Sequence, residues 1–162
     1  MNYRIGQGID IHQLEEGTPL IIGGVSIPSH KGSKGHSDGD VLFHAIADAL
    51  LGSICDGDIG YHFPSNDEKW KNANSKIFLI YSNQLVNENG FKIHNIDSTI
   101  ILQDPHISSF IPKMRHNISQ ILNTNIRNIS VKATTTDHLG FIGSGEGISA
   151  TSIIMLKKIN EH

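Results

Sequence analysis

The sequence predicts a single α+β domain whose helices lie on one face of a β-sheet. Two observations predict this class. The chain has 162 residues, which suits one domain with a buried core spanning residues 1–162. Its strand-like and helix-like segments also follow in the order β, ββ, α, α, β, α, β, β, and such segments bury their apolar faces against each other.

The amino-terminal segments are predicted to be strands and a loop. Arg4–His12 fits a strand because isoleucines recur among small residues. Leu20–Pro28 fits a hairpin because two apolar runs flank the turn-forming pair Gly23-Gly24. The polar, glycine-rich stretch Ser29–Gly39 is expected to be a loop.

Two helices are predicted in the middle of the chain. The first begins near Ser37 or Asp38 and carries an apolar stripe at helical spacing, made of Val41, Leu42, Ala45, Ile46, Ala49 and Leu50. A loop over Asp56–Glu68 separates it from the second helix, Asn74–Asn89. Gly90 then follows as the residue that ends this helix.

The carboxy-terminal half is predicted to alternate between strands, a helix and a loop. Pro112 favours a helix start nearby, because proline fits the first turn of a helix. The predicted elements are a strand over Phe91–Gln103, a helix over Ser108–Asn123, a strand over Ile129–Thr135, a glycine-rich loop over Thr136–Gly147 and a strand over Ile148–Lys157.

Composition excludes several classes of protein. A net charge of −3 gives no electrostatic basis for binding nucleic acid or an anionic membrane. Cys55 is the only cysteine, so a disulfide framework or a cysteine-based zinc site is not expected. The start lacks the pattern of a signal peptide, and no apolar run approaches 18 residues. A soluble cytoplasmic protein is therefore expected.

The first candidate site combines Asp10, His12 and His44. Side chains at i and i+2 of a strand share a face, so the first two converge, and both suit zinc. An ordinary surface carboxylate beside a histidine, and a buried helical histidine, are the alternatives. Asp40 and Asp48 lie four residues either side of His44, where one of them could hold its second ring nitrogen. Three such ligands with an open fourth position would suit catalytic zinc.

Three further segments could bind phosphate or sugar. His36 and Ser37 precede a helix, where an imidazole, a hydroxyl and free N–H groups favour an anion, although Ser37 also fits a simple helix cap. The acidic loop Asp56–Gly60 fits either a turn or a carboxylate that binds sugar hydroxyls or a cation. Lys132–Asp137 fits either a threonine-rich strand end or a cradle for phosphate and Mg²⁺.

The order of these segments resembles one family closely. RIGQGIDIH, IIGGVSIP, HSDGDVLFHAIADALLG, GDIGYHFP, VKATTTDHLGF and GSGEG are similar to the successive motifs of 2-C-methyl-D-erythritol 2,4-cyclodiphosphate synthases. The resemblance runs from Arg4 to about Ile154. It implies a homotrimer assembled around mixed β-sheets, with active sites between subunits, Zn²⁺, and a second cation that is Mg²⁺ or Mn²⁺.

The reaction that the resemblance implies converts 4-diphosphocytidyl-2-C-methyl-D-erythritol 2-phosphate into the 2,4-cyclodiphosphate and CMP, within the non-mevalonate isoprenoid pathway. The 2-phosphate attacks the β-phosphate of the same molecule. Because the attacking phosphate is already ionised, positioning and electrostatic stabilisation suffice without a general base.

The resemblance also implies roles for single residues. The implied zinc ligands are Asp10, His12 and His44, and Asp137 matches the carboxylate for the second cation. His36 and Thr135 are implied as catalytic. The implied substrate-binding residues are Ser37, Asp58, Gly60, Phe63, Ser65, Asp67, Leu102, His106, Ile107, Ala133, Thr134, Phe141 and Ser144.

Three positions depart from the family pattern, and two other functions remain as alternatives. Asp137 stands where Glu is usual, Ser144 stands where Arg is frequent, and Ser65-Asn66-Asp67 differs from the usual loop. One alternative is a zinc hydrolase of phosphate esters, since the same triad could generate hydroxide. The other is a non-enzymatic trimeric protein with a structural zinc, which would need a fourth ligand that the sequence does not make evident.

Overall fold

The computed structural model of the chain describes residues 2–35, 37–70 and 73–159. The strands are β1 (Tyr3–Glu16), β2 (Leu20–Ile22), β3 (Val25–Ile27), β4 (Lys31–Ser33), β5 (Phe91–Ile101), β6 (Ile129–Thr134) and β7 (Gly147–Lys158). The helices are α1 (Val41–Ser53), α2 (Ile59–His62), α3 (Lys76–Glu88), α4 (Ile111–Ile121) and α5 (Gly140–Gly143). In the described part of the chain, no helix is both long and apolar enough to cross a bilayer.

Five strands form one mixed sheet in the order β4-β1-β7-β5-β6. Strands β5 and β6 are parallel, and the other neighbours in this sheet are antiparallel. Strands β2 and β3 form a separate hairpin, whose turn residues Gly23 and Gly24 both have positive φ, as the sequence predicts. The α+β class and the mixed sheet are thereby confirmed.

The two faces of the sheet differ in what covers them. In β1 the even-numbered residues turn toward the helices and the odd-numbered residues turn away. Ile5, Ile9 and Ile11 on the odd-numbered side are each more than half exposed. Ile153 of β7 lies on the same side, because its cross-strand partner Gln7 is also odd-numbered, and it is equally exposed. The sheet therefore has one helix-covered face and one exposed apolar face.

Helix α1 lies directly on the backbone of β1. A Cβ atom at Gly8 would lie 2.0 Å from the carbonyl oxygen of Ala45, and one at Gly6 would lie 1.9 Å from that of Ala49. Only glycine leaves room for this approach. The same two elements carry the candidate metal ligands, so the close contact sets the distance between them.

Several boundaries differ from the sequence prediction. Helix α1 begins at Val41 instead of Ser37 or Asp38, because Asp40 is its N-cap and accepts a hydrogen bond from the backbone N–H of Phe43. The loop predicted over Ser29–Gly39 contains β4, which pairs with the end of β1.

Two predicted loops contain short helices, and one predicted helix starts later. Helix α2 lies in the loop predicted over Asp56–Glu68, and α5 lies in the loop predicted over Thr136–Gly147. A single turn has too few residues to show a helical period, which explains why the sequence does not reveal it. Helix α4 follows a 3-10 turn, with Pro112 in its first turn as predicted.

Candidate metal centre and substrate cleft

Three potential ligand atoms converge where β1 meets α1. The Oδ2 atom of Asp10 lies 2.8 Å from Nε2 of His12 and 2.9 Å from Nδ1 of His44. The two ring nitrogens lie 3.2 Å from each other. The structure thus brings together the three residues that the sequence singles out, and they form the group in the described chain whose geometry suits a metal ion.

The outer nitrogen of each histidine ring has its own hydrogen-bond acceptor. Nδ1 of His12 lies 2.9 Å from the carbonyl oxygen of Lys34, which can only accept a hydrogen. Nε2 of His44 lies 2.8 Å from Oγ of Ser75. The Ser75 hydroxyl in turn donates to the Asp38 carboxylate, so Ser75 must accept from the ring. In the neutral tautomers fixed by these bonds, both inner nitrogens carry lone pairs.

The inner atoms therefore need a cation between them. Two nitrogen lone pairs and a carboxylate oxygen face each other, and either additional protons or a metal ion must offset their repulsion. Two histidines and one aspartate match the donors of catalytic zinc sites, and separations of 2.8–3.2 Å approach the ~3.3 Å that tetrahedral zinc with bonds of about 2.0 Å requires. The donor set thus fits Zn²⁺ with one position open.

Electrostatics in the metal centre couple the carboxylate to the rings. Burial alone would raise the pKa of Asp10. When no metal ion is bound and the rings of His12 and His44 carry the additional protons, their hydrogen bonds and charge outweigh burial and hold this pKa well below its usual range. Burial would also lower the pKa of His12, yet its contact with Asp10 raises that pKa above the usual value. The pocket therefore stabilises positive charge beside Asp10.

The carboxylate that supports His44 is not one of the two expected from helical spacing. Asp40 accepts hydrogen bonds from the backbone N–H groups of Gly23 and Gly24. Asp48 accepts from the backbone N–H of Ile59, which fixes the start of α2. Asp38 supports His44 through Ser75 instead. No sequence pattern indicates this role, because Ser75 falls within the helix predicted over Asn74–Asn89 and lies 37 residues from Asp38.

A cleft of about 570 Å³ opens beside the metal centre. Of the predicted substrate-binding residues, Ser37, Gly60, Phe63 and Ser65 line it, together with all three candidate ligands. Asp58 is not among the lining residues but directly precedes two of them, Ile59 and Gly60. It is the N-cap of α2 and accepts a hydrogen bond from the backbone N–H of Tyr61 at 2.8 Å.

The loop that follows α2 supplies the remaining predicted contact on this side. Asp67 lies in that loop and accepts from the backbone N–H of Lys69 at 3.0 Å. His36 lies outside the described residues, so its catalytic role stays a prediction.

Aromatic rings form the apolar wall of the cleft. The ring of Phe63 lies 4.8 Å from that of Trp70 and 4.5 Å from that of Phe78, centroid to centroid. Trp70 and Phe78 also line the cleft, although neither is among the predicted site residues. Trp70 is the only tryptophan in the chain, which is the one signal that could have drawn attention to it.

The other predicted site residues lie at the ends of β5 and β6 or in the segments that follow these strands. This second group consists of Leu102, His106, Ile107, Ala133, Thr134, Thr135, Asp137 and Phe141. The backbone N–H of Leu102 donates to the carbonyl of Thr134, and Ala133 pairs with Ile100 at the ends of β5 and β6. Ile100 and Asp10 both pair with Ala150 of β7, so they lie at the same level of the sheet. With about 4.8 Å between strands, Ala133 lies three strands, or about 14 Å, from Asp10.

Side chains of this second group are mostly exposed. Thr134 and Asp137 are exposed, Thr135 is half-buried, and the backbone N–H of Asp137 donates to Oγ1 of Thr135 at 3.4 Å. None of the described residues that line the cleft comes from this group. His106 and Phe141 are exposed and Ile107 is buried.

Ser144 has partners within its own turn. Its hydroxyl lies 3.0 Å from Oε1 of Glu146 and 3.2 Å from the carbonyl oxygen of Phe141. The hydroxyl of Ser144 therefore has hydrogen-bond partners within the turn that ends α5.

The chain is similar to known proteins over nearly its whole length. The sequence model of the YgbB family matches residues 3–157. A protein of Shouchella clausii is 52% identical over 155 residues, covering 96% of this chain and 98% of that relative. A protein of Bacillus cereus is 53% identical over 156 residues, covering 96% and 99%. Both are named 2-C-methyl-D-erythritol 2,4-cyclodiphosphate synthase.

Solved structures match the whole fold. The CDP complex of IspF from Plasmodium falciparum superposes with a TM-score of 0.86 at 38% identity and covers 98% of both chains. The bifunctional IspDF of Campylobacter jejuni superposes with a TM-score of 0.94 at 43% identity. That match covers 98% of this chain but 43% of IspDF.

Proposed function

The chain belongs to the YgbB family of 2-C-methyl-D-erythritol 2,4-cyclodiphosphate synthases, and we infer from this that it catalyses the family reaction in isoprenoid precursor biosynthesis. The observation that carries the inference is the convergence of Asp10, His12 and His44 beside a cleft, with the outer nitrogens of both rings already satisfied. The substrate is 4-diphosphocytidyl-2-C-methyl-D-erythritol 2-phosphate.

The reaction exchanges one phosphorus–oxygen bond for another. An oxygen of the 2-phosphate forms a bond to the β-phosphorus, and the bond from that phosphorus to the oxygen of the CMP phosphate breaks. The electron pair leaves with CMP, and the 2,4-cyclodiphosphate remains. Both reacting groups are anionic, so the protein must hold them together and offset their repulsion.

The metal centre is proposed to hold Zn²⁺. When bound there, the ion supplies a Lewis acid that polarises a phosphate oxygen. Asp10 contributes the single negative charge among the three ligands, which leaves the loaded site positive toward phosphate. Lys34 and Ser75 hold the two rings in the tautomers that leave the inner nitrogens free.

The walls of the cleft suit the two ends of the erythritol phosphate. Ser37 and Ser65 offer hydroxyl groups to phosphate and sugar oxygens, and His36 precedes Ser37 in the chain. Phe63 and Phe78 offer an apolar surface to the methyl-bearing carbon. Asp58 is proposed to accept a ribose hydroxyl, together with the backbone around Gly60.

The second group of residues is proposed to bind the cytidine and the diphosphate. Leu102, His106, Ile107 and Ala133 would surround the cytosine, and Thr134 and Thr135 would donate hydroxyl groups to the diphosphate. Asp137 offers an exposed carboxylate for Mg²⁺ or Mn²⁺, hard cations that prefer oxygen ligands. The solved IspF of Plasmodium falciparum holds CDP, which supports a cytidine nucleotide as the ligand class.

A homotrimer is proposed because one chain holds the two halves of the site about 14 Å apart along the sheet. A neighbouring copy could bring its second group to the cleft of the first. The exposed isoleucines of β1 and β7 provide an apolar face for such an assembly. The mass in solution is expected to be three times the 17.8 kDa of one chain. The cytoplasm stays the expected location.

The test is ³¹P NMR of the protein with its diphosphocytidyl substrate, Zn²⁺ and Mg²⁺. CMP and two coupled cyclic-diphosphate signals are expected. CMP with an open-chain phosphate would instead indicate the hydrolase alternative. A folded, zinc-loaded trimer that leaves the substrate unchanged would indicate the binding protein, in which zinc is structural.

A further inference from the structure

Ser75 is a buried serine at the start of α3 whose hydroxyl does not cap its helix. It occupies the N-cap position, yet its side chain makes no capping hydrogen bond. The side chain is fully buried. A serine at this position normally accepts from a backbone N–H two or three residues ahead. The hydroxyl of Ser75 is used elsewhere.

The hydroxyl joins a metal-ligand ring to a carboxylate. Its Oγ lies 2.8 Å from Nε2 of His44, and the hydroxyl donates to Oδ1 of Asp38. Because its only proton goes to the carboxylate, Ser75 accepts from the ring. A proton on Nε2 leaves Nδ1, which faces Asp10, with a free lone pair.

Two backbone hydrogen bonds hold this arrangement in place. The backbone N–H of Ser75 donates to Oδ2 of Asp38 at 3.1 Å, and the backbone N–H of Asp38 donates to the carbonyl of Ala73 at 3.1 Å. The loop before α1 and the loop before α3 are thus locked together. Ser37 also places its hydroxyl 3.1 Å from Nε2 of His44, so the ring has a second possible acceptor.

We propose that Ser75 and Asp38 are positioning residues, which hold His44 in the tautomer and orientation that bind zinc through Nδ1. The inference rests on the proposed zinc site and deepens it. A carboxylate that acts through a hydroxyl makes the ring a better donor to the metal, and partners of this kind change metal affinity by about 10–100-fold.

The test compares zinc affinity, measured by chelator competition, in the full-length chain and its variants. Ser75→Ala is expected to raise the zinc dissociation constant about 10–100-fold, and Ser75→Thr is expected to restore most of the affinity. Ser82→Ala is the matched control, because Ser82 is also a buried serine of α3 but donates its hydroxyl proton to the carbonyl of Phe78 within the same helix. The zinc dissociation constant of Ser82→Ala is expected to stay within twofold of the parent's, which corresponds to about 0.4 kcal/mol.

A second readout separates positioning from general stability. Nitrogen-15 NMR of the zinc-loaded protein should show His44 with Nε2 protonated, and Ser75→Ala should speed the exchange of that proton with water. Ser37→Ala should leave the Nε2 proton of His44 protected from exchange, because Ser75 still accepts the hydrogen bond from this nitrogen. Where Ser75→Ala fails to fold, Asp38→Asn replaces it and is expected to weaken zinc binding in the same direction.

Each contrary result has a distinct meaning. If Ser75→Ala or Asp38→Asn binds zinc as tightly as the parent, the positioning role of Ser75 and Asp38 is wrong, while the zinc site itself stands. Equal losses in Ser75→Ala and Ser82→Ala would also overturn this role, because the effect would then belong to any buried hydroxyl of α3. A parent chain that binds no zinc would overturn both the proposed metal site and the positioning role of Ser75 and Asp38.

Discussion

Gly8 of β1 faces the carbonyl oxygen of Ala45 of α1 so closely that a Cβ atom on Gly8 would lie 2.0 Å from it. Gly8 is two residues before Asp10, and Ala45 follows His44. The backbone contact between strand and helix therefore sets how far apart these two metal ligands lie. Any side chain at Gly8 must push α1 away from β1.

Gly8→Ala is accordingly expected to lower the free energy of unfolding by about 2–3 kcal/mol, as overpacked substitutions do. It should also weaken zinc binding at least about 10-fold, because His44 moves with α1. Urea unfolding and chelator competition measure the two effects.

Gly52→Ala is the matched control for this prediction. Gly52 lies in the same helix, and a Cβ there would meet only the carbonyl oxygen of Gln7 at 3.8 Å. Alanine should therefore stabilise the protein by about 0.5–1 kcal/mol. A Gly8→Ala protein as stable as the parent would contradict the packing argument.

Asp10→Asn tests the charge of the metal centre while keeping the shape of the side chain. Asparagine replaces the negative ligand with a neutral amide, so zinc affinity is expected to fall at least about 100-fold and CMP release to fall with it. Asp97→Asn is the control, since Asp97 lies on the same sheet and pairs with exposed Lys132. It should cost about 1 kcal/mol of stability or less and leave zinc binding intact.

The inter-subunit site is tested by mixing two inactive variants. His44→Ala removes the metal half, and Thr134→Ala/Thr135→Ala removes the diphosphate half. Equal amounts refolded together should recover about a quarter of parental activity. A site is intact only when its metal ligands come from the threonine variant and its threonines come from the His44→Ala variant, which occurs in about a quarter of randomly assembled sites. A mixture no more active than its components would place the whole site within one chain.

Asp48 supplies a prediction about pH. Burial raises the pKa of its carboxyl, and the N–H of Ile59 only partly offsets this. A folded pKa above the unfolded value means that the folded protein binds the proton more tightly. The contribution of Asp48 to the free energy of unfolding therefore decreases as pH rises from about 4 through the folded pKa of this residue.

Asp48→Asn keeps an acceptor for Ile59 without the charge. In zinc-free protein at pH 7 it should be more stable than the parent by about 0.5 kcal/mol or less, since Asp48 is partly exposed to solvent. The difference should vanish at pH 3, where Asp48 is protonated in both states. Urea unfolding at both pH values measures it, and a variant less stable at pH 7 than at pH 3, relative to the parent, would contradict the sign.

The sequence alone determined the family, the order of the main elements and the three candidate metal ligands. Asp10 and His12 converge because the period of a strand is two residues, and both β1 and α1 show their periods plainly in the sequence. The hairpin at Gly23 is equally local, since its turn requires positive φ. Such features depend on neighbours within a few residues.

Only the tertiary structure decided what surrounds those ligands. Ser75 and Asp38 are 37 residues apart, and their hydrogen bond exists because two loops meet beside His44. Helical spacing favoured Asp40 and Asp48 for that role, but both carboxylates accept backbone N–H groups from other segments. Which polar groups pair depends on how separate elements pack, and no local period encodes that packing.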